Sequence, residues 1–552
     1  MQTFLLCVVA LGHLVLGQIP QVTVSQGTMK GQALKSRDGR DFFSFTKIPY
    51  AKPPVGELRF KISEKADNWT DILDATQRVP YCYQPNQGIS GIVIQEDCLY
   101  LNIFTPNTTG KLPVIFSIHG GGFMTGSADY FSYGRFFMDE DVVFVAPNYR
   151  LGTLGFLSLE DNSIPGNMGL KDQALALEWV YKEISAFGGD PNMITVIGES
   201  AGGVSSNLIC SAPRTNGLIK GCVSQSGNNW SPWSYQKPGV PRERALNLVK
   251  AVGCDGSKDY LKCLQSKPIE QVSDISLLSN VSTGLSIISP ILEPSSAPGA
   301  LLTVWPPVAK KSYPWIVGMT QDDGLLFTYE YEYKMKSQQE IDQFINNFNN
   351  TVISKLNLEN KVNDFQKIWE RFFTRNLEPL RAIREFFTEY MFLYPTLKGL
   401  SKQSGPTFFY KFNYFGGPQL PFVITVPNIG VGHAAEMPYF FEVLPGYKVP
   451  TGWPRQEDTA LSKQLVKMWV NFARDQTPSS NGVVQWSQFQ EKYYLDIEDQ
   501  GITLGELTKY KEILDFWDSI IPDQSSKSST SQASLMFIGI LSIFTLCRGL
   551  LL

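Results

Sequence analysis

The chain has 552 residues, of which 43% are hydrophobic and 18% charged, and its formal net charge is −4 at pH 7. This composition is typical of a globular protein and excludes an intrinsically disordered one. Neither the net charge nor any basic run indicates a nucleic-acid partner. The length is sufficient for a large buried core, either as one α/β unit or as several smaller domains.

The N-terminal segment contains a short apolar run. Residues 4–16 form this run, which ends before Gly17 and Gln18, and a run of this length is too short to span a bilayer. We therefore expect residues 1–17 to be a secretory signal peptide that is cleaved after Gly17. The alternative is a buried first strand or helix.

The C-terminal segment has the order of residues that is typical of a GPI-anchor signal. Residues 525–534 are small and polar, and residues 535–552 are apolar except for Arg548. We expect residues 524–552 to be such a signal, so that a lipid anchor holds the mature protein at the membrane. The expected attachment site is Ser526, with Ser525 and Ser528 as the next choices. The alternatives are a retained membrane span and a soluble protein with an apolar tail.

In a secreted chain the cysteines are expected to pair. Of the eight cysteines, two lie in the terminal segments that are expected to be removed. The spacing of the others suggests Cys82–Cys98 and Cys254–Cys263 as short disulfide loops, whereas Cys210 and Cys222 either form a third pair or stay free as buried thiols. Five sequons predict a glycosylated surface. They begin at Asn68, Asn107, Asn229, Asn280 and Asn349.

Apolar runs between helical segments predict an α/β protein. The predicted strands are Leu112–Ile118, Val142–Ala146, Met193–Ile197, Gly221–Ser226, Trp315–Gly318 and Phe408–Tyr414. Residues 169–186 have helical spacing of apolar side chains. Strands that are apolar throughout predict a mostly parallel sheet with helices on both faces. Because no internal repeat or long linker interrupts residues 18–523, we expect them to form one domain.

The central motif is Gly198-Glu199-Ser200-Ala201-Gly202, which matches G-x-S-x-G. It follows one of the predicted strands, and residues 204–210 continue as a predicted helix. A strand–turn–helix of this kind lifts the serine hydroxyl clear of the sheet. Glycines are needed because side chains at their positions would collide with the adjoining strand and helix. The motif predicts Ser200 as a nucleophile.

A serine nucleophile requires a base, which is usually a histidine. The chain has three histidines. His13 lies in the expected signal peptide, and His119 precedes three glycines and is better explained as part of a backbone turn. The remaining one, His433, lies in a glycine-rich loop and is the predicted base.

The glycine run after His119 predicts an oxyanion hole. It directly follows an apolar strand, and its glycines allow backbone N–H groups to turn towards a substrate without a side chain in the way. The predicted donors are the N–H groups of Gly121, Gly122 and Ala201. The third member of a triad is expected between Ser200 and His433, where Asp322 and Asp323 are the best-placed acids.

These motifs and several others resemble those of type-B carboxylesterases, the family that includes cholinesterases and insect esterases. The matching stretches are Pro49–Gly56, Glu96–Asn102, His119–Phe123, Asn148–Arg150, Phe187–Pro191 and Gly198–Gly203. The resemblance implies the α/β-hydrolase fold, with a large, mostly parallel central sheet and helices on both faces. It also implies hydrolysis of carboxylic esters through an acyl-enzyme intermediate, without a metal or an organic cofactor.

The resemblance also implies roles for individual residues. It assigns Ser200 as nucleophile, His433 as base and Asp323 as the acid, at a position where the family usually has glutamate. Asp322 remains an alternative in the neighbouring register. Further implied features are a tuning role for Glu199, a supporting role for Ser226, and ion pairs Arg59–Glu96 and Arg150–Asp172.

Substrate preference is predicted only in outline. An apolar substrate pocket is implied for four aromatic residues, each of which is equally compatible with the core. They are Phe123, Trp230, Trp233 and Phe327. Residues 83–97, inside the first disulfide loop, contain no tryptophan, which disfavours a choline-ester specialist. Glutamate rather than glutamine before Ser200 disfavours a juvenile hormone esterase.

The sequence thus predicts a secreted, surface-tethered serine carboxylesterase that acts on small-molecule carboxylic esters. The alternative from another class is a catalytically silent cell-surface adhesion protein of the same fold. Adhesion relatives usually lose the serine, the histidine or the glycine run, and all of these are intact here. A lipase for long-chain glycerides is a further alternative.

Overall fold

A computed structural model describes most of the chain between residues 19 and 521. The described ranges are 19–85, 91–129, 133–278, 288–305, 312–333, 337–348, 361–375, 377–418, 429–443, 449–479, 484–489 and 492–521. The expected signal peptide and anchor signal lie outside these ranges, as do the sequons at Asn280 and Asn349 and the attachment site Ser526.

Sixteen strands occur within these ranges. In chain order they are β1 (Gln21–Val24), β2 (Gly27–Lys30), β3 (Gln32–Lys35), β4 (Asp41–Pro49), β5 (Leu73–Asp74), β6 (Tyr81–Cys82), β7 (Ile94–Gln95), β8 (Tyr100–Thr105), β9 (Leu112–Ile118), β10 (Val143–Pro147), β11 (Gly189–Glu199), β12 (Gly221–Gln225), β13 (Trp315–Thr320), β14 (Thr407–Phe412), β15 (Tyr493–Glu498) and β16 (Gly501–Glu506).

The α-helices of the described residues are mostly short. In chain order they are α1 (Gly152–Phe156), α2 (Met168–Glu183), α3 (Ala201–Ser211), α4 (Val240–Ala251), α5 (Tyr260–Gln265), α6 (Ile269–Val272), α7 (Leu325–Tyr333), α8 (Gln338–Asn347), α9 (Lys361–Phe373), α10 (Pro379–Thr388), α11 (Tyr394–Lys402), α12 (Met437–Phe440), α13 (Gln456–Asp475) and α14 (Thr508–Asp518). A π-helical turn, Glu389–Leu393, joins α10 to α11. In the described part of the chain, no helix combines the length and apolarity needed to cross a membrane.

An eleven-stranded sheet forms the centre of the described structure, in the order β16-β15-β14-β13-β12-β11-β9-β10-β8-β4-β3. The strands from β15 to β10 pair in parallel. The strands at both edges are antiparallel to their neighbours. The predicted α/β-hydrolase architecture with a mostly parallel sheet is therefore confirmed at its centre, and the antiparallel edges make the whole sheet mixed.

Both faces of the sheet are buried, which explains why its central strands are apolar throughout. Val114 and Phe116 of β9 belong to the core that includes α2 and α3. Ile115, which points to the other face, belongs to the core that includes α13. A third core packs α8 to α11 and α14 against β12, β13 and β14. All the predicted strands are present. Some of their ends differ from the predicted ones, because pairing with neighbouring strands determines where a strand begins and ends.

Both suggested disulfides are present, Cys82–Cys98 and Cys254–Cys263. Cys210 and Cys222 are free thiols, and burial raises the pKa of the Cys210 thiol above its usual value. The third pairing that the spacing left open is therefore absent from this structure.

The described sequons differ in accessibility. Asn68 and Asn107 are exposed, as glycosylation requires. Asn229 is only 4% exposed, and its N–H donates to Asn207 Oδ1 at 3.2 Å. The prediction of a surface position for Asn229 is wrong, because the turn after β12 folds back beneath α3.

Candidate active site

Ser200 lies at the sharp turn between β11 and α3. Its φ of 57° and ψ of −124° are strained for a residue with a side chain. The Ser200 N–H donates to Gln225 O of β12 at 2.8 Å, which fixes the turn to the neighbouring strand. A Cβ atom on Gly202 would lie 2.1 Å from Ile118 O. The glycine is therefore required for α3 to start this close to β9.

The glycine run after His119 lies directly beside the nucleophile. A Cβ atom on Gly120 would be 3.2 Å from Ser200 Cβ. Gly121 has a φ of 105°, and its carbonyl accepts from Met124 N–H and Thr125 N–H, each at 3.0 Å. This tight turn and the first residue of α3, Ala201, bring the predicted oxyanion donors to the same end of the sheet as Ser200.

His119 stabilises the turn of the glycine run. Its Nδ1–H donates to Gly120 O at 2.9 Å, and its ring stacks on Tyr149 with centroids 4.4 Å apart. The Tyr149 hydroxyl donates to His119 O at 2.9 Å. Burial lowers the pKa of His119 to about 4, so the ring is neutral at neutral pH. These contacts agree with its interpretation as part of a backbone turn.

Asp323 faces His433 in the buried site. Its Oδ1 lies 2.7 Å from His433 Nδ1. Its Oδ2 accepts from Ser226 Oγ at 3.0 Å and from Thr320 N–H at 3.1 Å. These donors stabilise the carboxylate and hold it in one orientation. The structure places Ser226 where the resemblance implied it, as a support for the acid.

Asp322 points away from His433. Its Oδ2 accepts from Val431 N–H at 3.0 Å. Of the two acids that the sequence left open, Asp323 is therefore the one in contact with the predicted base. Its side chain reaches His433 although it is shorter than the glutamate that the family usually has at this position.

A second carboxyl group lies beside the other nitrogen of His433. Its Nε2 lies 3.1 Å from Glu199 Oε1. Burial lowers the pKa of His433, but the carboxylates of Glu199 and Asp323 outweigh burial and raise it above its usual value. Burial raises the pKa of Glu199, against the lowering effect of His433. The two side chains therefore compete for a proton, and His433 can act as a base whenever it is neutral.

We expect replacement of Glu199 by glutamine to shift the pH dependence of activity. An anion at 3.1 Å stabilises the imidazolium of His433, so its removal lowers the pKa of that ring. The acidic limb of kcat/KM should move to lower pH by about 0.5–1 unit. A pH profile with an aryl ester measures this shift, with Glu243→Gln on α4 as the control. A limb that stays or moves to higher pH would contradict the charge coupling.

Glu436 is a fully buried acid near His433 that the sequence did not single out. It lies three residues after His433, and the Tyr410 hydroxyl donates to its Oε1 at 3.0 Å. Burial raises the pKa of Glu436 to about 7, with Asp323 as the next cause. The only signal in the sequence was an acid in the same loop as the predicted base.

An aromatic cluster lies beside His433. The Phe392 ring is 5.3 Å from the His433 ring, 6.1 Å from Trp233 and 6.4 Å from Phe327. Trp233 Nε1–H donates to Met391 O at 3.3 Å. Phe392 and Met391 belong to the π-helical turn Glu389–Leu393, and such turns are frequent at functional sites. Sequence reasoning missed Phe392, because its run of aromatic residues has no feature that distinguishes it from core.

The other two predicted pocket residues lie elsewhere. Phe123 is buried, and its ring packs on Phe156 with centroids 5.1 Å apart, so it belongs to the core. Trp230 packs against α11, where a Cβ atom on Gly399 would lie 3.0 Å from its Cδ1. Of the four predicted residues, Trp233 and Phe327 contact Phe392, the ring that lies beside His433.

Two ion pairs, one partly buried and one buried, join segments that are distant in the chain. Arg59 donates to both oxygens of Glu96 at 2.6 and 2.7 Å. Arg150 donates to both oxygens of Asp172 at 2.8 and 2.7 Å. Both pairs are those that the resemblance implied. Among the described residues, no three His, Cys, Asp or Glu side chains form a cluster suited to a metal ion.

The fold and the turn at Ser200 define a class of protein. A large sheet with this strand–turn–helix at its centre is the α/β-hydrolase fold. The sequence profile described as the carboxylesterase family matches residues 18–517. The chain belongs to the carboxylesterase family and is a carboxylic ester hydrolase.

Characterised relatives support this assignment. The juvenile hormone esterase of Tribolium castaneum is 32% identical over 519 residues, which cover 85% of each chain. The cocaine esterase of Oryctolagus cuniculus is 30% identical over 506 residues, 87% of this chain and 92% of the relative. Esterase FE4 of Myzus persicae is 30% identical over 496 residues, 85% of this chain and 86% of the relative.

Proposed function

We propose that this esterase works through an acyl-enzyme intermediate on Ser200. The observation that carries the proposal is the 2.7 Å contact between Asp323 Oδ1 and His433 Nδ1. The Nε2 atom of the same ring lies 3.1 Å from Glu199, the residue before Ser200 at the strained strand–turn–helix. An acid that orients a histidine, and a histidine that can take the proton of a serine, are the parts of a catalytic triad.

In the first half-reaction, Ser200 Oγ attacks the ester carbonyl while His433 Nε2 takes the hydroxyl proton. The negative oxygen of the tetrahedral intermediate is stabilised by the N–H groups of Gly121, Gly122 and Ala201, each donor of this kind contributing roughly 10²- to 10³-fold in kcat. The imidazolium returns its proton to the departing alcohol. Asp323 stabilises the imidazolium and keeps the proton of the neutral ring on Nδ1.

In the second half-reaction, water attacks the acyl group on Ser200. His433 takes a proton from the water, and the acid is released when the serine oxygen recovers that proton. The buried Glu199 lies beside the same ring nitrogen of His433 and moderates its charge. No metal ion or organic cofactor takes part in this scheme.

The proposed substrates are small carboxylic esters with an apolar group. The ring of Phe392 supplies an apolar surface beside His433, and Trp233 and Phe327 extend it through their contacts with Phe392. A Cβ atom on Gly227 would lie 2.4 Å from Ser200 O and 2.9 Å from Trp233 Cη2. This geometry supports a position for the apolar group against Trp233, close to the nucleophile.

A fluorophosphonate probe tests the proposal. Ser200 Oγ should displace fluoride and form one bond to phosphorus, and hydrolysis of a short-chain aryl ester should stop when one equivalent is bound. Peptide mass spectrometry should find the label on Ser200. Labelling of another residue, or undiminished hydrolysis by the labelled protein, would overturn the assignment.

We also propose that the protein is secreted, glycosylated and tethered by a lipid anchor at Ser526. The apolar residues 4–16, the small polar spacer 525–534 and the two exposed sequons at Asn68 and Asn107 support this. Asn280 and Asn349 are further candidates for glycosylation. Phospholipase C specific for phosphatidylinositol should release the esterase from intact cells. Retention on treated cells would favour a membrane span instead.

A further inference from the structure

The guanidinium of Arg384, on α10, lies where two catalytic loops meet. Its side chain is 9% exposed. One nitrogen, Nη1, donates to Ile429 O at 2.6 Å and to Glu332 Oε2 at 3.1 Å. Another, Nε, lies 3.6 Å from Asp322 Oδ1. Arg384 therefore contacts the residue before the triad acid and the chain that leads to the triad base.

The two loops are also bound to each other at this point. Asp322 N–H donates to Val431 O at 2.9 Å, and Val431 N–H donates to Asp322 Oδ2 at 3.0 Å. Asp322 is adjacent to Asp323, and Val431 is two residues before His433. This reciprocal pair fixes the register of the acid loop against the histidine loop. Arg384 contacts the other oxygen of the Asp322 carboxylate, Oδ1, and so holds that carboxylate from the opposite side.

Helix α10 is packed tightly enough to transmit this constraint. Gly324 N–H, directly after the triad acid, donates to Thr388 Oγ1 at 2.9 Å. A Cβ atom on Gly324 would lie 2.2 Å from Arg384 O. The backbone that carries Arg384 therefore lies against the turn that carries Asp323, and neither can shift without the other.

The charge of Arg384 is matched by two partly buried acids. Glu332 accepts from Thr328 Oγ1 on the same helix, α7, so its carboxyl group is held in place on both sides. A buried guanidinium requires such partners, since an unpaired buried charge is costly. A planar guanidinium can contact two carboxylates and a carbonyl at once, which an ammonium group cannot do with the same geometry.

We propose that Arg384 is a positioning residue of the catalytic triad: it holds the loop of Asp323 and the loop of His433 at the separation that their contact requires. The proposal rests on the triad proposed above. Because misplacement of catalytic groups by about 1 Å can cost about 10²-fold in rate, the effect of losing Arg384 should appear in kcat.

The test compares Arg384→Met with a matched arginine outside the site. Arg37, between β3 and β4, is 15% exposed and contacts Asp139 Oδ2 through Nε and Nη2, each at 2.9 Å. Its described contacts do not include the acid or histidine loops. Both variants lose a partly buried ion pair, but only Arg384→Met loosens the triad. Each full-length variant is titrated with the fluorophosphonate probe, so that rates are expressed per active site.

We expect kcat per titrated site to fall about 10- to 100-fold in Arg384→Met, with KM within about threefold of wild type. Arg37→Met should keep its kcat per site, whatever its thermal stability. Arg384→Lys should recover part of the loss, since it restores the charge but not the fork of donors. In a double variant with Asp322→Asn, the losses should not add, because both substitutions break the same contact.

Equal kcat per site in Arg384→Met and Arg37→Met would overturn the proposal and leave a purely structural role. Additive losses in the double variant would overturn it as well. Should Arg384→Met yield no folded protein, the comparison of Arg384→Lys and Asp322→Asn with Arg37→Met decides in the same way. Failure of the triad itself is recognised separately, since the wild-type protein would then hydrolyse esters without a reactive Ser200.

Discussion

Replacing Ser200 by alanine is expected to lower kcat/KM for a short-chain aryl ester by roughly 10⁴- to 10⁶-fold. The substitution removes the only atom that the proposed mechanism bonds to the acyl group. Ester binding is retained, because the aromatic cluster and the oxyanion donors are unchanged. The residual rate comes from those donors acting on attack by water.

Ser211, at the end of α3, provides the matched control. Ser211 Oγ is within 3.2 Å of the Tyr313 hydroxyl and far along the helix from the turn. Ser211→Ala should therefore hydrolyse the ester at nearly the wild-type rate and react fully with the fluorophosphonate probe. If Ser200→Ala were as active as Ser211→Ala, the nucleophile would have to be another group.

Replacing Asp323 by asparagine is expected to lower kcat by about 10⁴-fold. Asp323 Oδ2 accepts from Ser226 Oγ and Thr320 N–H, so an asparagine would keep its oxygen on these donors. Its NH₂ group would then face His433 Nδ1 and donate to it. This forces the ring proton to Nε2, the nitrogen that must accept the proton of Ser200. Steady-state kinetics measures the loss of kcat, with the protein concentration determined by absorbance.

Asp322→Asn is the matched control for that substitution. An asparagine at Asp322 can still accept from Val431 N–H and loses only its charge towards Arg384. We expect a loss of about 10-fold, much smaller than for Asp323→Asn. A larger effect at Asp322 than at Asp323 would reverse the assignment of the acid, and equal effects would mean that neither orients His433.

The two acids show how closely position and role are linked in this site. Asp322 and Asp323 are adjacent in the chain, yet one bonds the backbone of the histidine loop and the other bonds the histidine ring. The family usually has glutamate at the second position, and the shorter aspartate still reaches His433 at 2.7 Å. The reciprocal bonds of Asp322 with Val431 bring the two loops close enough for this contact.

The sequence by itself determined those parts of the site that depend on neighbouring residues. The turn at Ser200 requires glycine at positions 198 and 202, because its backbone conformation is strained and its neighbours are close. The disulfides Cys82–Cys98 and Cys254–Cys263 close short loops. His433 was identified by elimination among three histidines. Each of these signals depends either on neighbouring residues or on the number of residues of one type. Signals of both kinds can be recognised without knowing the fold.

Only the tertiary structure decided which distant side chains meet. The choice between Asp322 and Asp323 depends on the path of a loop more than 100 residues later in the chain. Phe392 reaches His433 only because a π-helical turn presents it, and Asn229 has a sequon but is buried beneath α3. Arg384 joins α7, the acid loop and the histidine loop. Such contacts arise from the packing of elements that are remote in sequence, which periodicity and short motifs do not encode.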